Sequence, residues 1–192
     1  MPVVRLIAGL GNPGPDYAAT RHNVGFWWID ELARREGGSL SGDQRMQGNV
    51  GKLLLVGEPR WLLQPMTFMN RSGQAIGALA RYYKIAPEEV LVIHDELDLP
   101  AGTVRLKRGG GHGGHNGLRV TIAHLGSKEF LRLRLGIGHP GNAKLVHDYV
   151  LGRPSVSDRE AIEDGIDASL RELDLILSGE LQKAMNSLHS RA

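Results

Sequence analysis

Residues 9–25 read GLGNPGPDYAATRHNVG, and the fold turns on what flanks them. An apolar run, Val3, Val4, Leu6, Ile7 and Ala8, feeds into this stretch and reads as a buried strand. From Thr20 to Arg35 the positions Val24, Trp27, Trp28, Ile29 and Leu32 recur at helical spacing, which predicts a helix leaving it. The tryptophans on that stripe read as core packing, not as a platform for stacked bases. Strand, glycine-containing loop and helix in this order begin an α/β arrangement. Between strand and helix the chain gathers Asn12, Arg21, His22 and Asn23. Amide, guanidinium and imidazole groups at such a handover suggest a reaction site.

Outward from this stretch the alternation continues. Gly37-Gly38 end the first helix, and a polar stretch runs to Gln47. Lys52 to Val56 and Trp61 to Gln64 predict strands joined by a turn at Gly57-Glu58-Pro59. Arg71 to Lys84 predicts a helix with Asn70 as its N-cap and Ile76, Leu79, Ala80 and Tyr83 on one face. The unbroken run Val90-Leu91-Val92-Ile93 fits a strand covered on both sides. Thr103 to Arg108 and Leu131 to Ile137 alternate instead, as half-covered strands do. Leu131, Leu133, Leu135 and Ile137 share one face and leave Arg132 with Arg134 on the other, while Val104 and Leu106 oppose Arg105 and Lys107. Asn116 to Leu125 and Ala143 to Leu151 read as short helices. Asp158 to Leu177 reads as a longer one, with Ile162, Ile166, Leu170, Leu173 and Leu177 as its buried stripe. The sum predicts a single α/β domain over residues 1–192, with no linker or internal repeat. Its sheet is expected to be twisted, mixed and mostly parallel, with helices on both faces and antiparallel pieces near residues 50–65 and 103–108. The C-terminal helices are expected from residue 157 onward.

Composition narrows the function classes. The 192 residues suffice for a substantial core. The 26 glycines are roughly twice the usual share and cluster, which points to special backbone geometry in a few loops. Cysteine is absent, which removes disulfides, thiolate metal sites and cysteine nucleophiles together. No apolar run approaches the roughly 18 residues of a membrane span, and Met1-Pro2-Val3-Val4-Arg5 does not read as a signal peptide, so a cytoplasmic address is expected. The net charge of +2 is unevenly spread: Leu99 to Lys128 holds Arg105, Lys107, Arg108, Arg119 and Lys128 without an acid, whereas Ser155 to Glu180 is strongly acidic. These are either two solvated faces or a basic face for a polyanion such as nucleic acid.

Open α/β sheets place ligands outside the carboxyl ends of their strands. Asn12 follows the first expected strand, Asn70 follows the Trp61 strand, Asp95 follows the Val90 strand, and His22 leads into the first helix. Groups distant in sequence are therefore expected at one sheet edge. GLGNPG and Gly109-Gly110-Gly111-His112-Gly113-Gly114 both match G-x-G-x-x-G, the dinucleotide fingerprint. Pro13 and Pro15 stand where a phosphate-cradling helix would donate N–H groups, and Asp30 and Glu31 lie inside a helix, so that reading is disfavoured. No G-x-S-x-G or P-loop occurs. His112 and His115, with His94, Asp95 and Asp98, could ligate zinc, although the glycines leave that loop's geometry undefined. The metal-free alternative is an ester hydrolase with a near-neutral base, a carboxylate that holds its tautomer, and donors for the oxyanion. His22 and Asp95 can be the first two, and Asn12, Asn70 and Asn116 the donors. Taken singly each asparagine reads more readily as a cap or turn residue. The basic pairs Arg105 with Lys107 and Arg132 with Arg134 suit phosphate or a merely solvated face. A non-catalytic RNA-binding protein stays open on the same evidence.

Taken together these stretches resemble the bacterial-type peptidyl-tRNA hydrolase family. GLGNPGPDYAATRHNVG resembles its first motif, PMTFMNRSG its second and HDELDLPAGTVRLKRGGGHGGHNGL its third, with RLRLGIGHP and DYVLGRP completing the series in family order from residue 9 to 154. The resemblance implies a monomeric α/β protein without metal or organic cofactor and without an obligate protein partner. Its implied reaction is cleavage of the ester between a peptide and the terminal ribose of tRNA. It implies His22 as general base and Asp95 as its orienting carboxylate. Asn12 and Asn70 would position the peptidyl moiety, Met69 would wall the scissile group, and Asn116, beside His115, would position water or oxyanion. Tyr17 would lie near the terminal ribose, and Arg105, Lys107 and Arg134 would face tRNA phosphates. Met66 before Thr67, and Gln64-Pro65, depart from the family's commoner residues.

Overall fold

Leu6, Ile7 and Ala8 have no exposed surface, because strand β1 (Leu6–Gly9) lies in the middle of a seven-stranded sheet. The computed structural model describes residues 3–191; Met1, Pro2 and Ala192, at the ends of the expected domain span, lie outside the described residues. The remaining strands are β2 (Ser41–Asp43), β3 (Gly48–Leu55), β4 (Glu58–Pro65), β5 (Val90–Glu96), β6 (Val104–Arg108) and β7 (Leu131–Gly136). β1 pairs in parallel with β4 and β5, and β5 in parallel with β7. Antiparallel strands close both edges, β3 on β4 and β2 on β3 at one side and β6 on β7 at the other, in the order β2-β3-β4-β1-β5-β7-β6. The expected mixed, mostly parallel core and both antiparallel pieces are therefore present.

The helices are α1 (Val24–Arg35), α2 (Ser72–Tyr82), α3 (Asn116–Leu125), α4 (Val146–Val150), α5 (Val156–Arg171), α6 (Leu173–Leu177) and α7 (Leu181–His189). Two cores result, one on each face of the sheet. Trp28, Ile29, Ile162 and Leu177 pack with Leu91 and Leu133 on one face, and Ile76, Leu79 and Leu118 pack with Leu6 and Val92 on the other. Full burial of such a side chain contributes about 1.5–3 kcal/mol, so the paired cores fix which side of each strand faces which helix. Trp28 is fully buried and donates its indole N–H to Ser169 Oγ (2.8 Å), which joins α1 to α5. Among the described residues no helix is long and apolar enough to cross a membrane.

Several local expectations are corrected. The first strand begins at Leu6, not Val3, because Val4 is tied elsewhere: its N–H donates to Leu177 O (3.2 Å) and its carbonyl accepts from Arg60. α1 begins at Val24, since Arg21–Asn23 form a 3-10 turn whose first N–H donates to Gly152 O (3.0 Å). Asn70 is not an N-cap; Met69–Arg71 form another such turn, Arg71 precedes α2, and no side chain caps that end. The long C-terminal helix breaks at Glu172 into α5 and α6, and α7 follows. Arg132 does not stand beside Arg134 at a free face; its side chain is 2% exposed and bonded to main-chain carbonyls.

The glycines of the opening stretch have a packing reason. A Cβ on Gly9 would come within 2.3 Å of Gly25 O, and one on Gly25 within 2.6 Å of Leu10 N. A Cβ on Gly11 would meet the Phe26 ring at 2.7 Å. The pattern that matches a dinucleotide fingerprint thus lets the start of α1 lie against the end of β1. That contact delivers His22 to the sheet edge.

Candidate active site

The carboxyl ends of β1, β4 and β5 open into a cleft of about 720 Å³. Asn12, Tyr17 and His22 line it from the first loop and the turn before α1, Met69 and Asn70 from the segment after β4, Asp95 from the end of β5, and His115 and Asn116 from the start of α3. All eight residues expected around a reacting group therefore share one cavity. The segment around α4 also lines it, with Val146, Val150 and Leu151.

Asp95, at the end of β5 and 3% exposed, is the centre of the arrangement. Its Oδ2 accepts from His22 Nδ1 at 2.7 Å and its Oδ1 accepts from His115 Nε2 at 2.7 Å. The sequence suggested only the first of these. His115 is also the N-cap of α3, its Nδ1 accepting from Leu118 N–H at 3.3 Å, so both of its nitrogens are engaged and Nε2 carries the hydrogen. With Nδ1–H given to Asp95, His22 keeps its lone pair on Nε2. Burial alone would raise the Asp95 carboxyl, but the electrostatic pull of His22 and His115 and their two hydrogen bonds override it and hold the group far below the usual carboxylate range. At His22 burial opposes the charged ring, and the Asp95 charge and hydrogen bond outweigh it, so its pKa is raised. His94, behind them, is pushed down to about 3, chiefly by burial, and its Nδ1 donates to Asp95 O at 2.8 Å.

Asn12 is held from three directions. Its Oδ1 accepts from Met69 N–H (2.7 Å), its N–H donates to Asn23 Oδ1 (2.9 Å), and its carbonyl accepts from Asn23 Nδ2 (3.0 Å). The acceptor end of the amide is used, so the Nδ2 hydrogens remain for a ligand. Tyr17 stands edge-on to Phe68, with ring centroids 6.0 Å apart, and Asn70 and Asn116 are exposed at the rim.

Matched against known proteins, residues 6–192 fit the family model described as peptidyl-tRNA hydrolase. The chain belongs to the peptidyl-tRNA hydrolase family. It is 58% identical over 187 residues to a peptidyl-tRNA hydrolase of Methylococcus capsulatus, covering 97% of this chain and 100% of that one. A Coxiella burnetii relative of the same name is 56% identical, with coverages of 97% and 98%. Among solved structures, the peptidyl-tRNA hydrolase of Acinetobacter baumannii superposes with a TM-score of 0.94 at 46% identity, covering 96% of this chain and 94% of that one.

Against that family background the basic residues divide. Arg105 pairs across the strands with Arg134, and Lys107 with Arg132, so all four share one face as expected. Lys107 and Arg134 line a second cavity of about 340 Å³, whose walls His94, Asp98 and His112 also border the main cleft. Arg105 borders neither cavity. Arg134 donates to Glu96 at 3.0 Å, which offsets part of its charge. The acidic C-terminal stretch meets its own partners, with Asp167 bonded to Arg35 and Arg171, and Glu163 to Arg159.

Of the zinc candidates, His112 is engaged elsewhere, its Nδ1 accepting from Gly114 N–H at 3.0 Å. Among the described residues the group that could hold a metal is His22, Asp95 and His115, with ligand atoms within 4.8 Å of one another. The two hydrogen bonds to the carboxylate account for the same closeness. The departures at residues 64–66 do not line the cleft, and Gln64 Nε2 donates to Asp30 (2.8 Å) and Phe26 O. Sequence reasoning gave no role to the Asn23 clamp, although a buried amide beside His22 was its signal, nor to Phe68 and the α4 wall.

Proposed function

We propose that this chain hydrolyses the ester joining a peptide, or an N-blocked amino acid, to the 3′-terminal ribose of tRNA. In this reading His22 Nε2 takes a proton from water, and the resulting hydroxide attacks the ester carbonyl. The imidazolium then returns the proton to the departing ribose oxygen. Asp95 holds the tautomer and offsets the positive charge while it lasts. Asn12 Nδ2, with the amides of Asn70 and Asn116, donates to the oxygen that gains charge and to the peptide beside it. Met69 and Tyr17 shape the apolar side of the pocket. Lys107, Arg134 and, farther out, Arg105 take tRNA phosphates, and the working form is a cytoplasmic monomer that needs no metal.

The observation that carries this reading is the 2.7 Å contact between His22 and a buried carboxylate, in a cleft that also holds three asparagines. The test is release of N-acetylated amino acid from its tRNA by the purified chain, with and without EDTA. Turnover that survives EDTA and falls by at least about 10²-fold in a folded His22→Ala supports general-base catalysis. The closeness of His22, Asp95 and His115 favours one second reading, a metal-bridged site. Turnover abolished by EDTA would move the assignment to it, and tRNA binding without turnover would leave a binding protein.

A further inference from the structure

We propose that Arg132 is a positioning residue for the reaction, acting through the glycine loop that carries His115 and Asn116. The inference rests on the hydrolase reading above. Loop residues Gly109, Gly110, Gly113 and Gly114 all have positive φ, and Gly111 to Gly114 are exposed. Such a segment has little intrinsic stiffness. Its start is tied by Gly109 N–H to Phe130 O (3.1 Å) and its end by His115 N–H to His112 O (2.9 Å). His112 Nδ1 ties Gly114 N–H within the loop (3.0 Å), and the carbonyls of Gly110 and Gly111 are held by Arg132. Arg132 donates to Gly110 O (2.5 Å), Gly111 O (2.6 Å) and, behind the loop, Lys128 O (3.2 Å). The second cavity lies between loop and sheet, bordered by Gly111 and Arg132 itself.

A buried guanidinium is a poor device for stability. Arg132 is among the largest fully buried side chains; its hydrogen bonds go to carbonyls, its Nε has no partner, and its charge lies over the Phe130 ring at 4.4 Å. With no carboxylate against it, this buried charge bears a desolvation cost that bonds to carbonyls offset only in part. What the guanidinium supplies is direction, because its rigid fork sets two adjacent carbonyls of a soft loop. A few residues on, that loop must place His115 Nε2 within 2.7 Å of Asp95 and Asn116 at the rim of the cleft. Misplacement by about 1 Å costs on the order of 10²-fold in rate.

The test uses the full chain as Arg132→Met and Arg132→Lys. We measure kcat and KM on N-acetylaminoacyl-tRNA, the melting temperature, and amide exchange of residues 109–116. The methionine variant is expected to stay folded with at most a modest drop in melting temperature, to exchange faster in that loop, and to lose about 10²-fold in kcat with KM little changed. Lysine, which keeps the charge and part of the bonding, should recover some of the loss. Wild-type kcat in Arg132→Met, or reduced kcat with unchanged loop exchange, overturns the proposal. Should the methionine variant fail to fold, Arg132→Lys decides: wild-type kcat despite faster exchange overturns it, and reduced kcat with faster exchange upholds it. Absence of turnover in wild type would instead sink the hydrolase reading, and the exchange of the loop would still judge the tether.

Discussion

Replacing Asp95 by Asn turns one carboxylate oxygen into an amide nitrogen, and the geometry around that carboxylate dictates the outcome. The carboxylate accepts two N–H groups at 2.7 Å, one from each imidazole, and an asparagine can accept at only one of those places. His115 has its other nitrogen committed to Leu118 N–H, so the Asn oxygen is expected to stay with His115. The NH₂ group then faces His22, which must accept at Nδ1 and carry its hydrogen on Nε2. That tautomer cannot take a proton from water at the cleft side. Loss of the negative charge also removes what raises the His22 pKa and leaves burial, which lowers it. Both changes weaken the base. A wrong tautomer in an oriented His–carboxylate pair costs up to about 10⁴-fold, and a positioned base contributes about 10²–10⁴-fold, so kcat should fall within that span. The assay is a pH–rate profile on N-acetylaminoacyl-tRNA. Wild type should lose activity as pH falls through the raised His22 pKa, and the variant should show a lower plateau with its limb displaced to lower pH. A variant with the wild-type plateau and an unmoved limb would refute the pairing.

Three other perturbations probe the basic face, the packing of α1 and the buried His94. If KM reports binding, its log–log salt slope should drop by about 0.9 in Lys107→Ala, which borders the cavity beside the cleft; the drop should be smaller in Arg105→Ala, and equal slopes would contradict the division of basic residues. Gly25→Ala would put a Cβ within 2.6 Å of Ile93 O and of Leu10 main-chain atoms, so urea unfolding should show a loss of about 3 kcal/mol or more, and a loss near zero would mean that α1 is free to move off β1. His94 stays neutral down to about pH 3, whereas in the unfolded chain it takes its proton near its ordinary pKa. Its contribution to stability is complete above the unfolded pKa and declines as pH falls toward 3, so His94→Gln should flatten the acid limb of a stability–pH curve, and an unchanged slope would refute its burial as a neutral ring.

The layout of the sheet was legible because each strand type leaves its own pattern. Val90 to Ile93 is apolar throughout since both of its faces are covered, and Leu131 to Ile137 alternates since its second face is shared with arginines. Periodicity is silent about where a strand's hydrogen bonds go. Val4 is as apolar as Leu6, yet its main chain bonds Leu177 and Arg60, contacts made by residues far along the chain. β2 is three residues long and mostly exposed, too short for any pattern to rise above its polar surroundings. Glu172 interrupts a stripe that continues in phase on both sides, so the break between α5 and α6 leaves no mark in the apolar spacing.

The site was legible as a set of residues and much less so as a set of bonds. The rule that ligands gather at the carboxyl ends of strands brings Asn12, Asn70 and Asp95 together without any knowledge of side-chain direction. It cannot say that Asp95 serves two histidines, because His115 reaches it from the N-cap of a separate helix, twenty residues along the chain. Nor can it say that Asn70 is released into the cleft instead of capping α2, a choice made by one 3-10 turn. Arg132 and Arg134 show the limit most clearly. They are two residues apart, identical in type and on one face of one strand, yet one holds a loop from within while the other meets Glu96 at a cavity. Alternation assigns the face, and what lies above that face is decided by a glycine loop whose path no local pattern encodes. Side chains that line the cleft could therefore be named from the sequence, whereas those that hold its walls in place, Asn23 and Arg132, became visible only through the main-chain atoms they bind.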